Sequence, residues 1–377
     1  MASGVGRRDS PRRSRTRPAS GHGATARPVV MHIGVVGEFP GGMAQVVNEY
    51  LHWSYANCRV VGVLSTKGKG DRLAAFRWLG CLFRLAAVRL AGIPHVVVVH
   101  LSQGGSFIRE GSLLRFAAAI GIPAAAHLHG SEFQSYARSR PALVSKVLAA
   151  ATVVFSLTTS TNQLVEDLLS TTHSRRRPRL VRVTNAVALP HRIPEKENFV
   201  LVAGELGFRK GTDVLLAAWS AIAPRHPGWT LLLAGPLADD FVVDNQIPRV
   251  VALGVLPRSV VLELQGRAAI AVLPSRHEAL PMFLIESMAH ECATIGTPVG
   301  QVSELLADAG ILVDVGQEAP LADALERLMT NGAERRILGK KSRQKIRDHY
   351  SEDAVSKELE SEWLSVLRRP ATQGPAA

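Results

Sequence analysis

Two glutamates, Glu278 and Glu286, stand with seven residues between them in the stretch PSRHEALPMFLIESM at positions 274–288. The apolar run at 269–273 leads into it and reads as a buried strand. Pro281 falls where a first helical turn would begin, a place where its missing N–H costs nothing. A helix is therefore expected over 281–290, with Glu278 in the loop before it and Glu286 inside it. Both carboxylates can then converge on the space above the helix start. That start offers unpaired N–H groups and the positive end of a dipole, which suit a phosphate. N–H donors for a diphosphate and carboxylates for sugar and ribose hydroxyls make a kit for a sugar nucleotide. The same spacing also fits a strand, loop and helix with two solvated glutamates.

Arg209, Lys210 and Gly211 put two cations between a strand end and a helix start, a second device for holding phosphate; a solvated basic turn has the same composition. Gly41 and Gly42 follow the first strand and let a backbone approach a ligand closely, or form an ordinary tight turn. The dinucleotide pattern G-x-G-x-x-G is missing there, which argues against a nicotinamide or flavin dehydrogenase. His127 and His129 are two apart at the end of an expected strand and point the same way. His127 reads as a packed core histidine. His129, beside Gly130, reads as a ligand contact. No third histidine or thiolate completes a metal site at sequence level, and no metal is expected.

Those residues need a scaffold. The 377 residues exceed what one core usually organises, so two domains are expected. Strand and helix alternate through both halves, and this pattern implies two doubly wound, Rossmann-like α/β domains facing each other across a cleft. The N-terminal domain is expected over 29–190 and the C-terminal domain over 191–350. A proline- and charge-rich linker lies near 188–198. An amphipathic helix over 351–367 is expected to pack back toward the N-terminal domain.

Residues 1–28 carry Arg7, Arg8, Arg12, Arg13, Arg15, Arg17 and Arg27 against Asp9, so about half of the +12 net charge sits in this tail. Its Ser, Pro and Gly content predicts disorder, as does that of 368–377. The tail has no apolar segment after its arginines and does not read as a signal peptide. Met31, close to the first strand, is an alternative start. A basic tail can meet nucleic acid or an anionic membrane surface, or stay solvated without a partner; no nucleic acid is expected, and the basic, apolar helices of the N-terminal half suit a peripheral contact with an anionic membrane. The apolar stretches 79–100 and 113–128 are broken by Arg84, Arg89 and Pro94 and by Arg115 and Pro123, short of a clean span. Three scattered cysteines, Cys58, Cys81 and Cys292, suggest a reducing compartment.

Taken in order, Arg-Lys-Gly at 209–211, Ala-Gly-Pro at 234–236, Leu-Gly at 253–254, Pro-Ser-Arg-His-Glu at 274–278 and Gly-Thr-Pro-Val-Gly at 296–300 resemble the retaining GT-B glycosyltransferases of the family 4 type, whose E-x7-E pattern Glu278 and Glu286 match. Gly-Gly at 41–42, His-Leu-His-Gly-Ser at 127–131 and Thr-Asn-Ala-Val at 184–187 extend the likeness over most of 29–367. The resemblance implies a UDP-, GDP- or ADP-sugar donor on the C-terminal domain and a glycan or lipid-linked acceptor on the N-terminal one. It implies that Glu286 binds the ribose, and that Glu278 and the backbone of Ala279, Leu280, Pro281 and Met282 hold sugar and phosphates. It places Lys210, with Arg209, at the leaving diphosphate, His129 at the reacting sugar, Gly41 and Gly42 at the phosphate, and the base near Leu256. The product would be a surface polysaccharide or glycolipid made in the cytoplasm, at the inner face of the plasma membrane. One residue departs from the family: Glu205 stands where an arginine often follows the glycine matched by Gly204. Two other classes remain open, a sugar-nucleotide epimerase on the same plan and a catalytically silent nucleotide-sugar binder.

Overall fold

A computed structural model describes residues 27–37, 39, 42–68, 70–130, 132–171, 177–238 and 241–368. The expectations for the tails at 1–26 and 369–377, and for Gly41 and Ser131, lie outside the described residues.

The N-terminal lobe runs β1 (Val29–Gly34), α1 (Gly42–His52), β2 (Arg59–Leu64), α2 (Ala74–Ala91), β3 (His95–Leu101), α3 (Gly104–Ala119), β4 (Ala124–Leu128), α4 (Phe133–Ser139), α5 (Pro141–Leu148), β5 (Val153–Ser156), α6 (Thr159–Thr171) and β6 (Arg179–Arg182). The C-terminal lobe runs β7 (Glu197–Ala203), α7 (Thr212–Ile222), β8 (Thr230–Ala234), β9 (Val250–Gly254), α8 (Arg258–Arg267), β10 (Ala268–Leu273), α9 (Met282–Ala289), β11 (Ala293–Gly296), α10 (Val302–Leu306), β12 (Ile311–Leu312), α11 (Glu318–Thr330) and α12 (Gly332–His349). A last helix, α13 (Glu352–Arg368), follows.

Each lobe holds a parallel sheet, β2-β1-β3-β4-β5-β6 in the first and β12-β11-β10-β7-β8-β9 in the second. Parallel strands covered on both faces must be apolar throughout. β10, read AAIAVL, is buried at every position, and β3 at all but its first. The doubly wound reading of the sequence is thus the observed fold, two Rossmann-like lobes of the GT-B plan. In such sheets ligands gather at the carboxyl ends of the strands where the order reverses. In the second lobe that point lies between β7 and β10. The loops that leave these two strands carry Lys210 and Glu278.

Helix α13 leaves the second lobe and covers the first. Glu360 accepts from the backbone N–H groups of Asn57 (2.5 Å) and Cys58 (3.1 Å), and Arg179 pairs with Glu362. Trp363 is fully buried, 4.7 Å from the ring of His32 and 5.4 Å from that of Tyr50. Among the described residues no helix is long and apolar enough to cross a membrane.

Candidate functional site

The loop after β7 folds into a 3-10 turn, Phe208–Lys210, that ends on Gly211. Gly211 has φ +68°, and a Cβ there would come within 1.9 Å of the Pro274 carbonyl. Only glycine lets this loop lie against the one after β10. The two are then clamped together. Arg276 N–H donates to the Arg209 carbonyl at 2.9 Å, and the Arg276 guanidinium forks onto Asp213 with two 2.8 Å contacts. It also lies 3.7 Å over the Phe208 ring. A third loop, after β11, closes on the second. A Cβ at Gly300 (φ +56°) would meet the Glu278 carbonyl at 2.3 Å, and Gln301 N–H donates to the Ala279 carbonyl at 2.8 Å.

This packing brings Lys210 Nζ within 2.5 Å of Glu278 Oε1, with side chains only 13% and 8% exposed. Ser275 Oγ donates to the same oxygen at 3.0 Å. Glu278 and Ala279 line a cleft of about 880 Å³, whose opposite wall comes from Gly130, Glu132 and Thr158 of the first lobe. Glu278 faces the interlobe cleft, and Lys210 reaches it only as the partner of Glu278, without lining it; a carboxylate so placed, with a cation on its other side, can bind a polyhydroxylated ligand with an anionic tail.

Leu280, Pro281 and Met282 follow Glu278 and are buried. Pro281 is the N-cap of α9 in an extended conformation, and no side chain caps the helix. The Leu280 carbonyl accepts from Asn185 Nδ2 of the first lobe at 3.1 Å. Gln301 Nε2 donates to the Leu157 carbonyl, a second tie across the lobes.

The expected convergence of the two glutamates is not what the fold gives. Glu286 lies more than a turn into α9, on the side packed against α8 and α1, and is only 4% exposed. It does not line the cleft that holds Glu278. Its carboxylate takes Arg258 Nη2 at 2.9 Å, and the same nitrogen reaches Glu49 of α1 at 2.5 Å. Burial raises the Glu286 carboxyl above the usual range, and the Arg258 charge opposes that. Leu256, half-buried, lies two residues before Arg258. Arg209 is drawn to Glu205 at 3.4 Å. Gly42, exposed, opens α1.

His129 sits at the end of β4, with its N–H donating to the Leu101 carbonyl at 2.7 Å. It does not stand alone. His100 Nδ1 lies 2.8 Å from His129 Nε2, and His32 Nδ1 lies 2.8 Å from His100 Nε2. His127 stacks on His129 with centroids 4.2 Å apart. Burial lowers all four imidazoles, His32 and His129 to about 3. His100 is the third histidine missing at sequence level: nitrogens of His100, His127 and His129 come within 4.8 Å of one another. Two of them, His100 and His129, are also joined to His32 in a hydrogen-bonded chain that occupies nitrogens a metal would need. The sequence reading does not single out His32, His100 or Arg258, and it includes Asn185 only within the Thr-Asn-Ala-Val stretch at 184–187. For the two histidines a signal existed: polar residues inside strands that are otherwise apolar.

Residues 188–345 match the glycosyl transferases group 1 family. An uncharacterized glycosyltransferase of Methanocaldococcus jannaschii is 28% identical over 152 residues, which is 39% of this chain and 42% of that protein. The chain spans less than half the length of the curated relatives it matches. Among solved structures, Anabaena HepE in complex with UDP and glucose superposes with TM-score 0.66 at 13% identity, over 89% of this chain and 99% of that one. The sucrose-phosphate synthase of Thermosynechococcus elongatus gives 0.64 at 17% identity, over 91% and 99%.

Proposed function

We propose that this chain is a GT-B glycosyltransferase of the group 1, family 4-like type, and that it moves a sugar from a nucleoside diphosphate sugar to a glycan or lipid-linked acceptor, with retention and without a metal ion at the phosphates. The observation that carries this reading is the Lys210–Glu278 pair at the cleft. In the transfer, the bond from the anomeric carbon to the β-phosphate oxygen breaks and the acceptor oxygen bonds to that carbon on the same face. The acceptor proton leaves with the diphosphate. Positive charge builds on the sugar and negative charge on the phosphates. Lys210 meets the phosphate charge together with the backbone N–H groups of residues 279–282, excepting Pro281, and Arg209 adds a further cation. Glu278 orients a sugar hydroxyl. His129 contacts the sugar, Gly41 and Gly42 border the phosphate, and Leu256 borders the base.

Glu286 binds the ribose hydroxyls in this reading, and Arg258 must then share or yield its carboxylate. Glu286→Ala should abolish the melting-temperature rise that the cognate nucleotide sugar gives the parent chain, and with it donor turnover. The screen begins with UDP-, GDP- and ADP-sugars, UDP-glucose first because HepE holds UDP and glucose. Full turnover in Glu286→Ala would refute the assignment. Nucleotide binding without turnover over a panel of acceptors would instead favour a silent binder, a reading that Glu205 and its hold on Arg209 keep open.

The acceptor side also suits a lipid surface at the inner face of the plasma membrane. Helix α2 exposes Phe76 (72%), Phe83 (75%) and Leu90 (88%) at intervals of seven, with Arg72 and Arg84 exposed beside them. A basic helix with phenylalanine and leucine on its outer face can seat in the headgroup region of an anionic bilayer. Replacing Phe76 and Phe83 by Asp should weaken co-sedimentation with phosphatidylglycerol vesicles about tenfold or more, while turnover of a water-soluble acceptor stays unchanged. Equal vesicle binding by both proteins would remove α2 as the contact.

A further inference from the structure

We propose that His32 and His100 are positioning residues for His129: the three imidazoles form a one-way hydrogen-bonded chain that fixes the His129 proton on Nδ1, so that His129 meets its ligand as a hydrogen-bond donor. The proposal rests on the reading that His129 faces the transferred sugar.

The chain crosses three neighbouring strands, β1, β3 and β4, and its two links are both 2.8 Å. His32 and His100 are fully buried and His129 is 6% exposed. A neutral imidazole has one N–H and one lone pair on its two nitrogens. Each link needs one of each. Fixing the direction of one link therefore fixes the other, and only two arrangements exist.

In the first arrangement every proton is on Nδ1. His32 donates to His100 Nε2, His100 donates to His129 Nε2, and His129 keeps an N–H at Nδ1. The inner end of the chain, His32 Nε2, is then a bare lone pair. In the second arrangement every proton is on Nε2, and His32 Nε2–H becomes a buried donor. That atom has no hydrogen-bond partner among the described residues. A buried N–H without an acceptor is rarer and costlier than an under-used acceptor. The Trp363 ring, at 75° to His32, can take an N–H only weakly. The first arrangement is therefore the stable one. It occupies His129 Nε2 as an acceptor and leaves Nδ1–H as the group His129 can offer. His129 then steadies an oxygen of the ligand by donation and does not serve as a base.

His127 stacks beside the chain, and both of its nitrogens lack a partner among the described residues. A cation shared by His100, His127 and His129 would compete for the lone pairs that close the chain, so metal content tests the same question.

The tautomers are read directly from two-bond 15N–1H correlations on the full chain labelled at histidine, without any substrate. Nδ1–H at His32, His100 and His129 is the expected result. An Nε2–H at His129, or one equivalent of a transition metal retained by protein purified without chelator, would overturn the proposal. Two variants read the consequence. His100→Asn keeps an amide donor near the Nδ1 position, and His100→Gln puts it near the Nε2 position. The Gln variant should lose about tenfold or more in kcat, with donor KM changed by less than about threefold, and the Asn variant should recover most of the loss. A packing role alone would make the two variants alike. Failure of the glycosyl-transfer reading would show separately, as no thermal shift with any nucleotide sugar.

Discussion

Lys210→Ala should lower the rate of sugar transfer by about a hundred- to a thousandfold, with a smaller change in donor KM. The reason is where the charge sits. Lys210 Nζ is held between the loops after β7 and β10, largely out of solvent, so its field is weakly screened. It is aimed before the reaction begins, since Glu278, Ser275 and the Gly211 close approach set its position. On the proposed function, the negative charge that Lys210 meets is greatest as the diphosphate departs, so the expected loss falls mainly on kcat. The alanine variant also leaves the Glu278 carboxylate partly buried without its cation, beside incoming phosphates. Glu278→Gln in the Lys210→Ala background should therefore cost less than the product of the two single losses, because it removes that repulsion. The measurement is donor turnover for the four members of the cycle, with melting temperature as the check on folding. A Lys210→Ala enzyme within about threefold of the parent would remove this residue from the chemistry.

The strands and the helices that cover them were legible because a parallel sheet demands a continuous apolar run. The runs at 95–101 and 268–273 state their own burial. The loops after β7 and β10 were legible as strand-end loops because glycines and cations gather at 204–211 and 274–278, a composition that a solvated basic turn shares. Contacts set by long-range register were not legible. His100 meets His127 only because β3 pairs with β4 in the register that makes them neighbours. Arg258 joins Glu286 to Glu49 only when α1, α8 and α9 pack together, with Arg258 and Glu49 separated by 209 in sequence number. Helix α4 escaped notice for a local reason: Phe133–Ser139 is seven residues long, too short to show a helical period inside a polar loop.

The buried histidines predict a second large effect, loss of stability in mild acid. Burial holds His32 and His129 near 3 and His100 and His127 well below their ordinary value, and it also lowers His290. In the unfolded chain each titrates near 6.5. Between that value and the folded one, the unfolded state binds protons that the folded state refuses. Stability is therefore fully present above about pH 6.5 and falls as the pH drops toward 3. Each such proton contributes a slope of about 1.4 kcal/mol per pH unit once the unfolded histidine is protonated. The carboxylates lowered by their arginine partners, Asp213 through Arg276 and Glu197 through Arg267, act in the same direction only below their own unfolded values, near 4. In the window from pH 6.5 to about 5 the histidines therefore dominate, and Glu286, raised by its burial, acts in the opposite direction. The melting temperature should drop steeply across it. His127→Phe is the cleanest probe, because neither nitrogen of His127 has a partner among the described residues and its ring packs among Tyr50, His129 and Phe155. That variant should match or exceed the parent at pH 7.5 and show a pH slope shallower by about one proton. A slope unchanged by His127→Phe would mean that His127 takes up no extra proton on unfolding, and the neutral core would have to be redrawn.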